Sequence, residues 1–156
     1  MKALVTYYSE SDNTRKVAEA LAAGLRTQAV SLSAVDPRTL AGYDLVCIGS
    51  PVHAGGPARK VREFISQIPR MDGRKCAAFC TMHAFGDKTT LRSMQTALEA
   101  KGMVYLGGCS ALGWSRLVAN FGPRIFNRGR PNREELATAE ALGRKLLEQM
   151  GPARAA

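Results

Sequence analysis

Apolar and polar residues follow one another along this chain in blocks that predict alternating strands and helices. Apolar, β-prone segments predict strands over residues 2–7, 28–32, 43–49, 75–81 and 103–112. Helical spacing of apolar residues predicts helices over 15–25, 58–68, 88–101 and 132–150, and Asp36-Pro37 begins a further turn or short helix. This alternation is typical of an α/β fold with a parallel sheet.

Three polar or glycine-rich loops follow the first, third and fourth predicted strands, over residues 8–14, 50–57 and 82–87. In a parallel sheet the carboxyl ends of the strands lie at one edge, and ligands bind beyond that edge. We therefore expect the three loops to meet and form one site.

The first loop carries short polar side chains immediately before a helix. The first N–H groups of a helix have no partner within it, and the helix dipole places partial positive charge there. Additional donors come from Ser9, Ser11, Asn13 and Thr14. Such an arrangement holds a phosphate without Lys or Arg. The same residue types are favoured helix caps, so this loop alone supports phosphate binding and simple capping about equally.

The second and third loops differ in what they offer a ligand. Gly55 and Gly56 allow a flat ligand to approach the backbone and allow a peptide to flip. The third loop offers a wall with a polar end, made of Thr81, Met82, His83, Phe85, Gly86 and Asp87. A phosphate site, a glycine loop and a wall together suit flavin mononucleotide (FMN).

These loops resemble those of the flavodoxin family over nearly the whole chain. Residues 8–14 resemble the flavodoxin phosphate loop and residues 49–57 resemble its flavin-ring loop. The third loop and residues 129–136 are similar to small flavodoxin-like proteins of anaerobes and archaea. The resemblance implies a three-layer α/β/α fold, a five-stranded parallel sheet in the order 2-1-3-4-5, FMN as cofactor, and electron transfer between redox partners.

The resemblance also assigns residues to the cofactor. By position, the phosphate would be held by Ser9, Ser11, Asp12, Asn13 and Thr14. The flavin ring would be flanked by Pro51, Val52, His53, Ala54, Gly55 and Gly56, and by Thr81, Met82, His83, Ala84, Phe85, Gly86 and Asp87. No residue is assigned a catalytic or metal-binding role. A flip of the Gly55–Gly56 peptide would offer a carbonyl to flavin N5.

Three features of this chain depart from the family pattern. Asp12 stands where glycine is usual, which places a carboxylate beside the phosphate. His53 stands where an aromatic residue is common, so stacking on that side is expected to be weaker. Flavodoxins are typically acidic, whereas this chain has a net charge of +9. Nearby cations favour a reduced anion, so we expect a less negative potential for the second reduction.

Length and composition indicate one domain over residues 1–150 with a frayed tail over 151–156. No apolar run is long enough to span a bilayer, and the start of the chain lacks the pattern of a signal peptide, so we expect a cytoplasmic protein. The four cysteines lie mostly in apolar strand segments without a Cys-x-x-Cys pair. We expect buried free thiols rather than a metal or redox site.

The positive charge suggests an acidic redox partner, docking near the flavin edge, or an anionic membrane surface. The candidate docking face is an acid-free stretch that contains Arg116, Arg124, Arg128, Arg130 and Arg133. An ordinary solvated surface explains these arginines equally well. A nucleic-acid module has little support, because aromatic residues are few and are not interleaved with the basic ones.

The main alternative function is a flavodoxin-like reductase acting on an anionic or membrane-borne quinone or porphyrinogen. For His53 we favour flavin contact over a plain surface position, and for His83 neither is favoured. Trp114 either covers a ligand or packs under the long connection after the fifth strand, and we favour packing. A tyrosine phosphatase of this architecture is excluded, because no cysteine has an arginine six residues later.

Overall fold

A computed structural model describes residues 1–114 and 127–151 of the chain. Its strands are β1 (Ala3–Tyr7), β2 (Ala29–Ser31), β3 (Leu45–His53), β4 (Gly56–Pro57), β5 (Lys75–Met82) and β6 (Val104–Leu112). Its helices are α1 (Asn13–Gly24), α2 (Arg59–Gln67), α3 (Asp87–Glu99) and α4 (Arg133–Gln149). Two short 3-10 helices, Leu32–Ala34 and Pro37–Gly42, lie between β2 and β3.

The sheet has the strand order β2-β1-β3-β5-β6, with every pair in this row parallel. The short strand β4 lies off this row and pairs antiparallel with the end of β3. Without β4, the order of the five predicted strands is 2-1-3-4-5. The predicted fold class and strand order are therefore confirmed, and the carboxyl ends of β1, β3 and β5 lie at the same edge.

Two local predictions were wrong. Ser50–His53 was predicted as loop, but β3 continues through it. Ser50 and Pro51 pair with Cys80 and Thr81 of β5, and Val52 and His53 pair with Pro57 and Gly56 of β4. That pairing adds a sixth short strand. Leu32 was predicted at the end of the second strand, but it begins a 3-10 helix and is buried. In both places the backbone conformation depends on a contact with another part of the chain. The local residue pattern carries no information about such a contact.

The helices form one layer on each face of the sheet. On one face, α2 and α3 contribute Phe64, Ile65 and Met94 to a core cluster. On the other face, α1 and α4 pack together through glycines. A Cβ at Gly143 would lie 2.3 Å from the Leu21 carbonyl oxygen, so the two helix backbones approach too closely for any larger residue. Both helices begin at the loop edge of the sheet, and this packing holds them there.

The cysteines are free and largely inaccessible. Cys47, Cys76 and Cys80 are buried and Cys109 is half-buried, which confirms the expectation of unpaired thiols. Burial raises the pKa of Cys76, of Cys80 and of Cys109 to about 12, so these thiols are protonated at neutral pH. Among residues 1–114 and 127–151 there is no cluster suited to a metal ion, and no helix there is long and apolar enough to cross a membrane.

The arginine-rich docking face predicted at Arg116–Arg133 is described only in part. Arg116, Arg124 and the predicted tail after residue 151 lie outside the described residues. Arg128 and Arg133 are exposed, whereas Arg130 forms a salt bridge with Glu135, with 3.0 Å between Nη1 and Oε2. One of the predicted docking arginines therefore has an internal partner.

Candidate functional site

A cavity of about 540 Å³ lies where the three loops meet at the carboxyl edge of the sheet. Most of its wall comes from the predicted site residues Ser11, Asp12, Asn13, Pro51, Val52, His53, Thr81, Met82 and His83. Three residues outside the prediction complete the wall: Glu10, Gly113 and Trp114. The structure thus brings the three loops together around one space large enough for a small ligand.

The first loop turns into α1 through a left-handed residue. Asp12 has φ 63°, a conformation that glycine adopts freely and that Asp tolerates better than most residues. Its side chain makes no capping hydrogen bond and instead lies 3.3 Å from Nε of Arg15. Of the loop residues that could cap α1, the alternative to phosphate binding, Asp12 therefore does not do so with its side chain. The hydroxyl of Ser9 accepts a long bond, 3.4 Å, from the Arg15 N–H.

Asn13 and Thr14 are buried and connect the first loop to other parts of the site. Asn13 Nδ2 donates to Ser11 Oγ at 2.9 Å and to the carbonyl oxygen of Trp114. The hydroxyl of Thr14 lies 2.8 Å from that of Thr81. Both side chains consequently fix the relative positions of the loops, and Thr14, like Ser9, does not line the cavity.

The second loop is a tight β-hairpin rather than an open glycine loop. Ala54 and Gly55 are its two central residues, with φ values of 49° and 79°. Positive φ at both central positions is the requirement of a type I′ turn. Gly56 lies in β4, opposite His53. Ala54, Gly55 and Gly56 do not line the cavity, whereas Pro51, Val52 and His53 do.

Glu10 bridges the first and second loops. Its Oε2 lies 3.2 Å from Nε2 of His53, and its Oε1 accepts a hydrogen bond of 2.7 Å from the hydroxyl of Tyr8. This hydrogen bond, with partial burial and the charge of Glu10, raises the pKa of Tyr8. The Lys60 ammonium group sits 5.0 Å from the centre of the Tyr8 ring. Nothing in the local sequence singles out Glu10, because its two partners come together only in the fold.

The third loop is held by the segments around it. His83 Nδ1 lies 3.0 Å from the carbonyl oxygen of Gly113, and the amide of Asn127 donates to the carbonyl oxygen of His83. A Cβ at Gly86 would lie 2.8 Å from Val52 Cγ1, so the glycine allows this loop to pack against the second one. These contacts fix Thr81, Met82 and His83 as one wall of the cavity.

The rest of the third loop does not line the cavity. The side chain of Phe85 is 80 % exposed and Ala84 is exposed. Asp87, the first residue of α3, accepts a hydrogen bond of 3.0 Å from Ser110 Oγ. The wall role predicted for Phe85 is therefore not seen in this structure, where the ring faces solvent.

Trp114 forms part of the cavity wall. Its carbonyl oxygen is a partner of Asn13, so the backbone at the end of β6 is tied to the start of α1. The predicted packing of Trp114 under the connection after β6 falls on residues outside the described part of the chain, so it stays a prediction. The aromatic character of Trp114 was the one signal that could have added it to the predicted site.

A model of a family described as "Flavodoxin domain" matches residues 4–108, two thirds of the chain. The chain belongs to the flavodoxin family. This confirms the family that the loop motifs indicated, and FMN is the cofactor that membership indicates. The matched residues include all three loops and end within β6.

Related proteins include a flavodoxin and an NAD(P)H dehydrogenase (quinone). The flavodoxin of Aquifex aeolicus is 28% identical over 160 residues, which cover 94% of this chain and 85% of the relative. An NAD(P)H dehydrogenase (quinone) of Archaeoglobus fulgidus is 26% identical over 183 residues, covering 93% and 95%. A solved flavodoxin from the domain Archaea has a TM-score of 0.75 at 20% identity over 96% of this chain and 98% of its own, which shows the shared fold.

The cavity residues fit a flavodoxin cofactor in their donor chemistry. The hydroxyl of Ser11 and the N–H groups at the start of α1 are donors for a phosphate. The amide of Asn13 is not a further donor, because both of its hydrogens are taken by Ser11 Oγ and the carbonyl oxygen of Trp114. The acidic side chains at the cavity, Glu10 and Asp12, have cationic or imidazole partners in His53 and Arg15. The guanidinium of Arg15 reduces the repulsion that a phosphate would meet from Asp12. A second cleft, of about 510 Å³, lies beside Tyr8 and Lys60. No residue of the second or third loop lines it.

Proposed function

We propose that this protein binds FMN in the cavity between the three loops and carries electrons between redox proteins. The observation that carries the proposal is the convergence of the first, second and third loops around one 540 Å³ space beside the start of α1. When bound, FMN supplies one- and two-electron redox chemistry that no side chain here provides.

The proposed roles of the cavity residues follow from their chemistry. Ser11 and the first N–H groups of α1 would hold the phosphate as hydrogen-bond donors, and the amide of Asn13 would keep Ser11 in place. Val52 and Met82 would present apolar surface to the ring from the second and third loops, and Trp114 would add an aromatic surface. Thr14 and Thr81 would act indirectly by keeping the phosphate loop and the ring wall at a set separation.

A flavin titration tests this proposal. We expect the purified protein to quench the fluorescence of added FMN and to show the visible bands of bound oxidised flavin. Riboflavin, which has the same ring without the phosphate, is the matched control and should bind at least tenfold more weakly, a loss of about 1.4 kcal/mol. A protein that leaves both flavins fluorescent does not have the proposed function.

The runner-up function is a reductase that uses NAD(P)H to reduce a quinone or a porphyrinogen-type substrate. The related quinone dehydrogenase of Archaeoglobus fulgidus, 95% of which is covered by the similarity, fits this function as the related flavodoxin fits the carrier function. Steady-state oxidation of NADH and NADPH with a quinone acceptor separates the two functions. A carrier should bind FMN yet sustain no turnover of either nicotinamide, whereas a reductase should sustain it.

The proposed partners are redox proteins, acidic where they meet this chain, that dock near the flavin edge and beside residues 116–133. The support is the net charge of +9 together with the absence of any acidic residue from 116 to 133. Peripheral contact with an anionic membrane has the same electrostatic basis. We further propose a single domain over residues 1–150 and a cytoplasmic location.

A further inference from the structure

Phe85 is an exposed aromatic side chain at the end of the third loop, 80 % accessible to solvent. The other exposed large apolar residues of the described chain are much better covered, Val104 at 40 % and Met1 at 38 %. Aromatic side chains of this kind supply much of the binding energy in protein interfaces once a partner buries them. Phe85 follows His83, a residue of the cavity wall, by two positions in the chain.

Two cations follow Phe85 on the outer face of α3. Lys88 and Arg92 are four residues apart, which places them side by side on the helix, and both are exposed. Neither forms a salt bridge within residues 1–114 and 127–151. The one acidic residue in the first turn of α3, Asp87, is engaged by Ser110.

The positive charge on this part of α3 has few acidic residues to balance it. No acidic residue lies between Asp87 and Glu99 in the sequence, and residues 115–126, outside the described part, contain none. Two cations near the start of α2 are engaged elsewhere and are not counted with this surface. The Lys60 ammonium group lies 5.0 Å from the centre of the Tyr8 ring, and Arg59 is paired with Glu63 at 2.7 Å.

We propose that Phe85, Lys88 and Arg92 form a docking surface for a small acidic electron-transfer protein. The inference rests on the proposed function, because an electron carrier must bring its cofactor edge close to its partner. The occupant is identified by charge complementarity, since unpaired cations around one aromatic side chain match an apolar spot surrounded by carboxylates. A bilayer is a poorer match, because two cations and one aromatic side chain provide little attraction for a membrane surface.

The test uses rubredoxin, a small acidic iron protein, as the probe. In stopped-flow mixing, one electron leaves the reduced FMN of this protein and converts the Fe(III) of rubredoxin to Fe(II), which bleaches its visible absorbance. The variant K88E/R92E is compared with K145E/R26E, which makes the same change in charge and residue types. Lys145 lies near the end of α4 and Arg26 follows α1, both far from the loop edge.

We expect K88E/R92E to slow the reaction about tenfold or more at low salt and to remove its salt dependence, because the encounter loses its electrostatic steering. The control K145E/R26E should stay within about twofold of the parent rate. Phe85→Ala should slow the reaction at every salt concentration. Equal rates for the two double variants would overturn the proposal.

Two further measurements separate this proposal from the function on which it rests. FMN titration of every variant shows whether cofactor binding is intact, and binding of fluorescently labelled rubredoxin to the FMN-free chain tests docking without electron transfer. Loss of rubredoxin binding in K88E/R92E alone supports the surface even if FMN does not bind. Unchanged rubredoxin binding with loss of adhesion to phosphatidylglycerol vesicles would overturn it in favour of a membrane contact.

Discussion

The hydroxyl oxygens of Thr14 and Thr81 lie 2.8 Å apart in the protein interior, and this bond joins the phosphate loop to the opposite wall of the cavity. We expect Thr14→Val or Thr81→Val to lower the free energy of unfolding by about 1–3 kcal/mol, because each leaves one buried hydroxyl without its partner. The double variant should recover much of that loss, since it removes both polar groups. Urea denaturation of all four proteins measures the coupling, and additive losses would show that the hydroxyls act independently.

Asp12 combines a left-handed backbone with a carboxylate beside the proposed phosphate. Asp12→Asn tolerates the same backbone without the charge, so we expect FMN affinity to rise several-fold, by roughly 1 kcal/mol. Asp12→Ala also removes the charge but lacks the side chain that tolerates φ 63°, so it should unfold about 1 kcal/mol more easily than Asp12→Gly. Fluorescence titration and urea denaturation separate the two effects. Unchanged affinity in Asp12→Asn would mean that Arg15 already neutralises the carboxylate.

Two features favour glycine at position 86. Its φ is 97°, and a Cβ there would lie 2.8 Å from Val52 Cγ1. Gly86→Ala should lower the free energy of unfolding by about 2–4 kcal/mol, since it adds a steric clash to an unfavourable backbone conformation. Gly73→Ala is the matched control, because Gly73 has φ 76° with nothing within 4 Å of its Cβ position. That variant should lose only the backbone contribution, about 1 kcal/mol. Thermal or urea denaturation of both variants gives the comparison.

Glu135 links α4 to the end of β6 and should make stability depend on pH. Desolvation raises its pKa, but N–H groups of Asn132 and Leu112 and the guanidinium of Arg130 outweigh this and hold the pKa below its ordinary 4.5. The wild type should therefore exceed Glu135→Gln in stability above about pH 4.5, and the difference should shrink as the pH falls through the lowered pKa. Urea denaturation between pH 3 and pH 7 measures it. A difference that is independent of pH would show that the charge of Glu135 contributes nothing.

Sequence pattern predicted the five main strands and their order, with the order resting on the resemblance to flavodoxins. The pattern also placed Ser11, Asp12 and Asn13 at the site, because they precede a helix at the carboxyl end of a strand. It did not find Glu10, whose partner His53 lies 43 residues away. Nor did it show that Ser50–His53 continue β3, since this depends on pairing with β5 and with the short strand β4.

By itself, the sequence determined the alternating strands and helices, the edge at which the loops gather, and the family. These depend on apolar periodicity and on residue types that neighbours along the chain can satisfy. The tertiary structure alone decided that Thr14 faces Thr81, that Trp114 reaches the cavity and that Phe85 is exposed. Each of these depends on contacts between segments far apart in the chain, and such contacts are set by how the helices and loops pack around the sheet.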